Sequence, residues 1–584
     1  MTSALLALLA LADTTSVIRV NQVGYLPDAP KVAVLCSLTD SSRTAVTFVV
    51  RDSAARVVLG PVKAPAAGGF GPCAGTWRLD FSKVRRTGTY EIDAKDARSP
   101  RVRIGPSVYA GATDTLLMYM REQRSGFNPF FRDSVHRYDG NVIDDTGHVV
   151  KFLPVSGGWA DASDYLQYVA TSATATYHML AAFRDHSRGF SDRFDARGLP
   201  GANGSPDVID EARHGLEWLV RMFPSDTELY NQLGDDRDHT YLDLPTTDSS
   251  DYGWGKGKER PIYRCTGRPQ GIFQYKNRST GMASTAGKYA SAFALGARVL
   301  AARGDSLATT LRRKAIAAYN VGIASPGVCQ TAPGRAPYFY EEDNWTDDME
   351  LAAAELYALT REPQYLRDAR RFAAQEPVTP WMGADTAKHY QWYPWYNAGH
   401  FALWQHGSAN DKQTASDYYR RGIERVAKRA TNGFRVGIPF IWCSNDLMVS
   451  FASQALLYRQ MTGDTHFREY EQAAVDWLFG ANPWGISMVV GYPRGERWPN
   501  DPHSVVSLQI KPEAITGGLV DGPVYRSIYS NLRGIALRHA DAFAAFNTGF
   551  IVYHDDMGDY STNEPIMDGT ANLIYLMSAL ADRR

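Results

Sequence analysis

Cysteine is scarce in this chain: five among 584 residues, none forming a Cys-x-x-Cys pair. That excludes a disulfide framework and the usual paired-thiolate metal motifs. Cys36 and Cys73 lie in one module and could bridge, but buried thiols are the expectation. A surplus charge of either sign is also missing, with 62 Lys plus Arg against 63 Asp plus Glu. No basic run stands out, which argues against a nucleic-acid partner. Long apolar runs are absent too, and none reaches the roughly 18 residues of a membrane helix. The opening MTSALLALLALADTTS carries a short apolar run and a small-residue Ala10-Leu11-Ala12 site without a basic start. Residues 1–16 therefore read as a secretory leader, implying a secreted or periplasmic protein, or else as an unstructured tail.

What the chain does contain is the composition of a soluble globular protein, 44% apolar and 21% charged, long enough for more than one domain. From Val17 to about Gly105 short β runs follow closely, among them VIRV, KVAVL, AVTFVV, TWRLDF and TYEI. Turn signals such as Gly24, Pro27, Asp28 and Gly60 separate them. About seven short strands in such a span predict an immunoglobulin-like β-sandwich over residues 17–105. Pro106 marks the boundary. Beyond it the period changes: Ala286, Tyr289, Phe293, Ala297 and Leu300 recur at helical steps, and similar amphipathic segments continue to the C-terminus. No βαβ alternation appears. Residues 106–584 thus read as an all-α domain, a ring of antiparallel helix pairs whose loops at one end build a site.

Two acidic clusters carry the candidate chemistry. In SGGWADASDY, Ser156 to Tyr165, the carboxylates Asp161 and Asp164 stand three residues apart. If the segment opens a helix they share a face, and something must offset their repulsion: a proton, a cation or a polarised water. The bland alternative is a helix N-cap followed by a solvated first-turn acid. The second cluster is VYHDDMGDYSTNEP. There Ser561 to Glu564 matches a capping box, yet Pro565 disfavours the helical region for Glu564. Asp568 is the better N-cap, which leaves Glu564 extended on a loop beside Tyr560.

SGGWADASDYLQYV resembles the GGW-D-A-G-D signature of glycoside hydrolase family 9, and DDMGDYSTNE resembles that family's second signature. PDVIDEARHGLEWLVRM, QLGDDRDH and WLFGANPWGISMVVGYP resemble its segments in the same order, and VIRVNQVGYLPDAPKVAVL resembles the immunoglobulin-like module preceding some members. The resemblance implies an (α/α)6 barrel and inverting hydrolysis of β-1,4-glucosidic bonds. It implies Asp164 as general base, Asp161 as the partner helping to hold the water, and Glu564 as general acid. The rival readings are a non-catalytic carbohydrate-binding protein, a hydrolase of another β-1,4 glycan of glucosamine or xyloglucan type, and a metal-dependent phosphoesterase or lyase built on DDRDH and YHDDMGD.

Departures from the pattern shape the finer expectations. Ser163 replaces a Gly between the aspartates, and His503 remains alone where many members carry His-His-Arg. The cysteines that bind zinc in some relatives are missing from Gln123–Gly126 and Val135–His136. The usual calcium-site acids appear as Thr280 and Ser284, poor donors for that ion. No metal or other cofactor is expected to be required. The stretches 244–267 and 524–551 look elaborated, favouring a pocket and attack at chain ends or on short oligosaccharides, against an endo groove. Trp159, His239, Trp345, Trp395, His503 and Tyr560 are the substrate-contact candidates. His239 either meets substrate or braces Asp235 and Asp236. The expected partner is a β-glucan polysaccharide or oligosaccharide, and the expected state a monomer.

Overall fold

The computed structural model describes residues 15–94, 97–240, 243–337, 340–384 and 396–582. Alternating apolar residues build the N-terminal module. Its strands are β1 (Ser16–Arg19), β2 (Val32–Ser37), β3 (Ala45–Asp52), β4 (Val57–Pro65), β5 (Gly75–Asp80), β6 (Gly88–Ala94), β7 (Ala97–Arg98) and β8 (Val102–Ile104). One sheet has the order β1-β2-β5; the other runs β4-β3-β6-β7 with β8 on β6. Strand β2 shows the two-residue period at work. Ala33 and Leu35 enter the sandwich core, whereas Val34 and Cys36 join the core of the helical domain.

That second face packs against the helical domain. The Arg78 guanidinium donates to Gly433 O at 2.5 Å and pairs with Glu469 at 2.6 Å. Asn21 Nδ2 donates to Asp476 at 2.9 Å, and Arg19 Nη2 to Pro483 O at 2.5 Å. Here the cysteine expectation is corrected: Cys36 is bonded to Cys73, and Cys265 to Cys329, leaving Cys443 as a buried thiol. The turn leading into β5 brings Cys73 to a Cα separation of 5.2 Å from Cys36 of β2, inside bridging range; sequence spacing alone carries no such distance.

The rest is helical. In chain order come α1 (Ala112–Glu122), α2 (Val169–His186), α3 (Asp207–Met222), α4 (Ala283–Ala301) and α5 (Leu307–Ala324). They are followed by α6 (Thr346–Thr360), α7 (Pro363–Ala373), α8 (Pro380–Gly383), α9 (Ala398–His406) and α10 (Ala409–Arg429). Last come α11 (Ser444–Thr462), α12 (Arg468–Leu478), α13 (Val505–Gln509), α14 (Arg526–Tyr529) and α15 (Met567–Ala581). Helices α4 and α15 are buried on nearly every side, which places them in an inner ring. Helix α15 packs on α2, α2 on α4, α4 on α6 and α6 on α9, while α11 closes onto α15. Helices α1, α3, α5 and α7 back this ring in the (α/α)6 manner.

One layer has no counterpart in the helical periodicity. Val149–Phe152, Asn141–Ile143, Pro261–Arg264, Tyr230–Leu233 and Gln167–Tyr168 form a five-stranded sheet in that order. Its edge Gln167–Tyr168 follows the acidic doublet directly and leads into α2. Among the described residues no helix is long and apolar enough to cross a membrane.

Candidate active site

The doublet segment is not helical. It is an irregular loop, and α2 begins only at Val169, so the helix-face account of Asp161 and Asp164 is corrected. The glycines explain why. Gly157 and Gly158 have φ of 121° and 76°, a region that side chains disfavour. A Cβ on Gly158 would come within 2.7 Å of the Trp218 ring. The turn drives Trp159 inward to 0% exposure, where its indole N–H donates to Glu211 Oε1 at 2.8 Å. Trp159 is therefore a buried support of the loop and contacts no sugar, which corrects its place among the substrate residues.

Glu211 of α3 also accepts two bonds from Arg124, at 2.9 and 2.8 Å, in a fully buried pair. Glu211→Gln should cost about 3 kcal/mol, because it strands a desolvated guanidinium. The loss should appear as a lower urea midpoint with an unchanged slope; an unmoved midpoint would rule this anchor out.

Asp161 is held inward and buried. Its backbone N–H bonds Leu166 O, and its carbonyl accepts from Met567 N–H, both at 2.9 Å, tying the loop to the start of α15. Its carboxylate accepts the hydroxyls of Thr171 and Tyr340. Burial, joined by the Asp164 charge, raises its pKa to about 7 against the pull of these two hydroxyls.

Asp164 is more open, at 15% exposure. Its Oδ1 accepts from Leu166 N–H at 3.3 Å, and its Oδ2 lies 3.4 Å from His239 Nε2. His239 Nδ1 in turn lies 2.9 Å from Asp238, whose carboxyl burial raises to about 7. Burial would depress the imidazole, but Asp164 and Asp238 outweigh it and raise the pKa far above the usual range. His239 thus bridges Asp164 and Asp238, which together favour its cationic form. It does not brace Asp235 or Asp236, which corrects that alternative. Asp235 is taken by Arg237 and Tyr263, and Asp236 by the backbone N–H groups of Arg335 and Ala336.

Glu564 precedes the strand Pro565–Ile566, which runs straight into α15. Ile566 therefore occupies the cap position and Asp568 lies inside the first turn, which corrects the N-cap expectation. Glu564 Oε1 accepts from Ser163 N–H at 3.1 Å and from the Ser163 hydroxyl. Residues 401 positions apart are joined here, and Ser163 is the direct neighbour of Asp164. Burial raises the Glu564 pKa; the His503 charge opposes this and the Asp164 charge adds to it. Asp559 shapes the approach by accepting from Ser561, Thr562 and His554.

The other candidates fall as follows. His503 Nδ1 is 2.5 Å from Met557 O, and its ring lies 6.2 Å from that of Tyr560. The Tyr560 hydroxyl donates to Arg533 O at 2.6 Å, and its ring sits 5.3 Å from Trp442. Trp345 is half-buried at the start of α6, edge-on to Phe372. Trp395 lies outside the described residues. Sequence reading missed Tyr340, Asp238 and Thr171, and treated Ser163 as a small change; the hydroxyl standing where a glycine is usual was the available signal.

The metal positions suggested by the resemblance do not fit a cation. Thr280 Oγ1 and Ser284 Oγ accept from Val328 N–H and Cys329 N–H at 3.1 and 3.0 Å. One turn beyond Ser284, the buried Lys288 ammonium bonds both Glu342 and Asp348, so a positive charge is already built in. His136 engages Ser125 and Asp248 with its two ring nitrogens, with no thiolate beside it. Among the described residues no group of three or more His, Cys, Asp or Glu is arranged to hold a metal ion.

A helical barrel with a carboxylate trio at one end of its inner ring and a β-sandwich on its flank defines a glycosidase class. Residues 109–577 match the family model for glycosyl hydrolase family 9, and residues 13–99 match the cellulase N-terminal ig-like domain. The chain belongs to glycosyl hydrolase family 9 and is a glycoside hydrolase. Endoglucanase C of Cellulomonas fimi is 27% identical over 98% of this chain, which spans 52% of that relative's length. Cellodextrinase of Butyrivibrio fibrisolvens is 22% identical over 97% of this chain and 100% of its own. A metagenome-derived family 9 endoglucanase superposes with a TM-score of 0.72 at 25% identity, covering 97% of this chain and 99% of its own.

Proposed function

We propose that this chain hydrolyses β-1,4-linked glucans with inversion. Asp164 acts as general base on a water, Asp161 helps hold that water, and Glu564 protonates the departing glycosidic oxygen. The observation that carries this reading is the Ser163 bridge: one residue bonds the late glutamate and adjoins the early aspartate. His239, 3.4 Å from Asp164 Oδ2, fixes its direction. Tyr340 bonds Asp161, and His503, Tyr560 and Trp345 are the sugar contacts this reading assigns.

Chain-end or short-oligosaccharide attack is favoured over an open groove. The segment from Arg526 to Phe550 leans on the acid's loop through Tyr560 to Arg533 O and through Arg538 and His539 N–H to Asp556, walling that side. A cellodextrinase similar along its whole length agrees with this. The two disulfides support an oxidising, exported setting. All three carboxylates come from one chain, in keeping with action as a monomer. The test is cello-oligosaccharide hydrolysis followed by proton NMR in the first minutes. The α-anomer should appear first from the newly formed reducing end; initial β-anomer would mean retention and overturn the scheme.

A further inference from the structure

The acid has a second carboxyl neighbour that neither signature contains. The strand Leu519–Val520 pairs antiparallel with Pro565–Ile566, Val520 opposite Pro565. Continuing the register sets Asp521 opposite Glu564, and the Asp521 N–H does donate to Glu564 O at 2.9 Å. Directly opposed residues on an antiparallel ladder share a face, with Cβ atoms about 4.5–5.5 Å apart.

We propose that Asp521 is a positioning residue for the general acid: it carries a fixed negative charge beside Glu564, so that the proton the two carboxyls share rests on Glu564. This deepens, and rests on, the reading of Glu564 as acid. Asp521 is 0% exposed and has both oxygens engaged by donors. Trp442 Nε1 donates to Oδ2 at 2.8 Å, and the Cys443 thiol to Oδ1 at 3.0 Å. Cys443 is held at φ 61°, a left-handed conformation uncommon for a residue with a side chain, and its thiol meets the carboxylate from there. The Asp521 carbonyl is pinned by Asn445 N–H at 2.9 Å. Two donors on two oxygens suit an ionised carboxylate. Glu564, by contrast, engages Ser163 through Oε1 alone, leaving Oε2 to hold the transferable proton.

Two neighbouring buried carboxyls do not both ionise readily. Burial and the Glu564 charge push the Asp521 pKa well above the carboxylate range, and burial raises that of Glu564; the Cys443 and Trp442 donors oppose the shift at Asp521. The other titratable groups facing the pair are Asp161 and Asp164 on the doublet loop, His503, Tyr119 of α1, and Asp559 and Tyr560 on the acid's own loop. None of them stands opposite Glu564 on the ladder.

The experiment is the pH dependence of kcat/KM on cellotetraose for the full chain and two variants. Asp521→Asn removes the charge, so the alkaline limb, which reports the protonated acid, should move down by about one pH unit. The acidic limb should stay in place. Cys443→Ala removes one donor and should move the alkaline limb the same way by less. On a 2,4-dinitrophenyl cellobioside, whose departure needs no acid, neither variant should shift it; a merely structural lesion would lower both substrates alike. Alkaline limbs coincident with the parent in both variants, while Glu564→Gln has none, would overturn the inference and spare the acid assignment. A limb that persists in Glu564→Gln would overturn both. If Asp521→Asn does not fold, Cys443→Ala decides alone.

Discussion

Glu564→Gln should lower turnover on cello-oligosaccharides by about 10²–10⁴-fold, the usual worth of a positioned proton donor. The substitution is nearly isosteric, and its amide oxygen can still accept from Ser163 N–H and Oγ, so the bridge to the doublet loop persists. What vanishes is the proton for the leaving oxygen. The defect should therefore follow leaving-group quality: severe on a sugar alkoxide and within about tenfold of the parent on a dinitrophenyl cellobioside, where the phenolate departs unaided. The alkaline limb of the rate profile should disappear with the acid. Equal losses on both substrates would mean that Glu564 only shapes the loop, and unchanged turnover would remove it from the reaction.

Much of this arrangement was legible in the residues, and the parts that were not share a cause. The strands of the flanking module and the ring of helices follow from periods of two and 3.6, which are local. The family signatures carried the three carboxylates because those, too, are short contiguous strings. Everything that depends on distant segments meeting was hidden. Tyr340 reaches Asp161 across 179 positions and Trp442 reaches Asp521 across 79, with no local pattern to announce either contact. Trp159 misled for the opposite reason. A tryptophan behind two glycines reads as an exposed aromatic, but the left-handed turn those glycines permit points it into the barrel wall against Glu211. The doublet lies on a loop and not on a helix. Hydrogen bonds to Leu166, Thr171 and His239 now do what helical spacing was thought to do.

The base assignment predicts an equally large effect with a chemical signature. Asp164→Ala should cost about 10²–10⁴-fold on every substrate, good leaving group or poor, because water activation is needed in both cases. The site left behind is not neutral. Leu166 N–H and the His239 imidazolium both point at the vacated carboxylate, forming a small anion-binding recess beside the loop that carries Ser163. Azide should enter it and attack the anomeric carbon without needing a base. Rate should recover with azide concentration, and the product should be the α-glycosyl azide, since attack from the base side inverts a β-linkage. The double variant Asp164→Ala with His239→Asn should recover less, having lost the cation that draws the anion in. Rescue yielding a β-azide would place the nucleophile on the wrong face. Absence of rescue with His239 intact would show that the Leu166–His239 recess does not open toward the anomeric carbon, and Asp164 would cease to be the base.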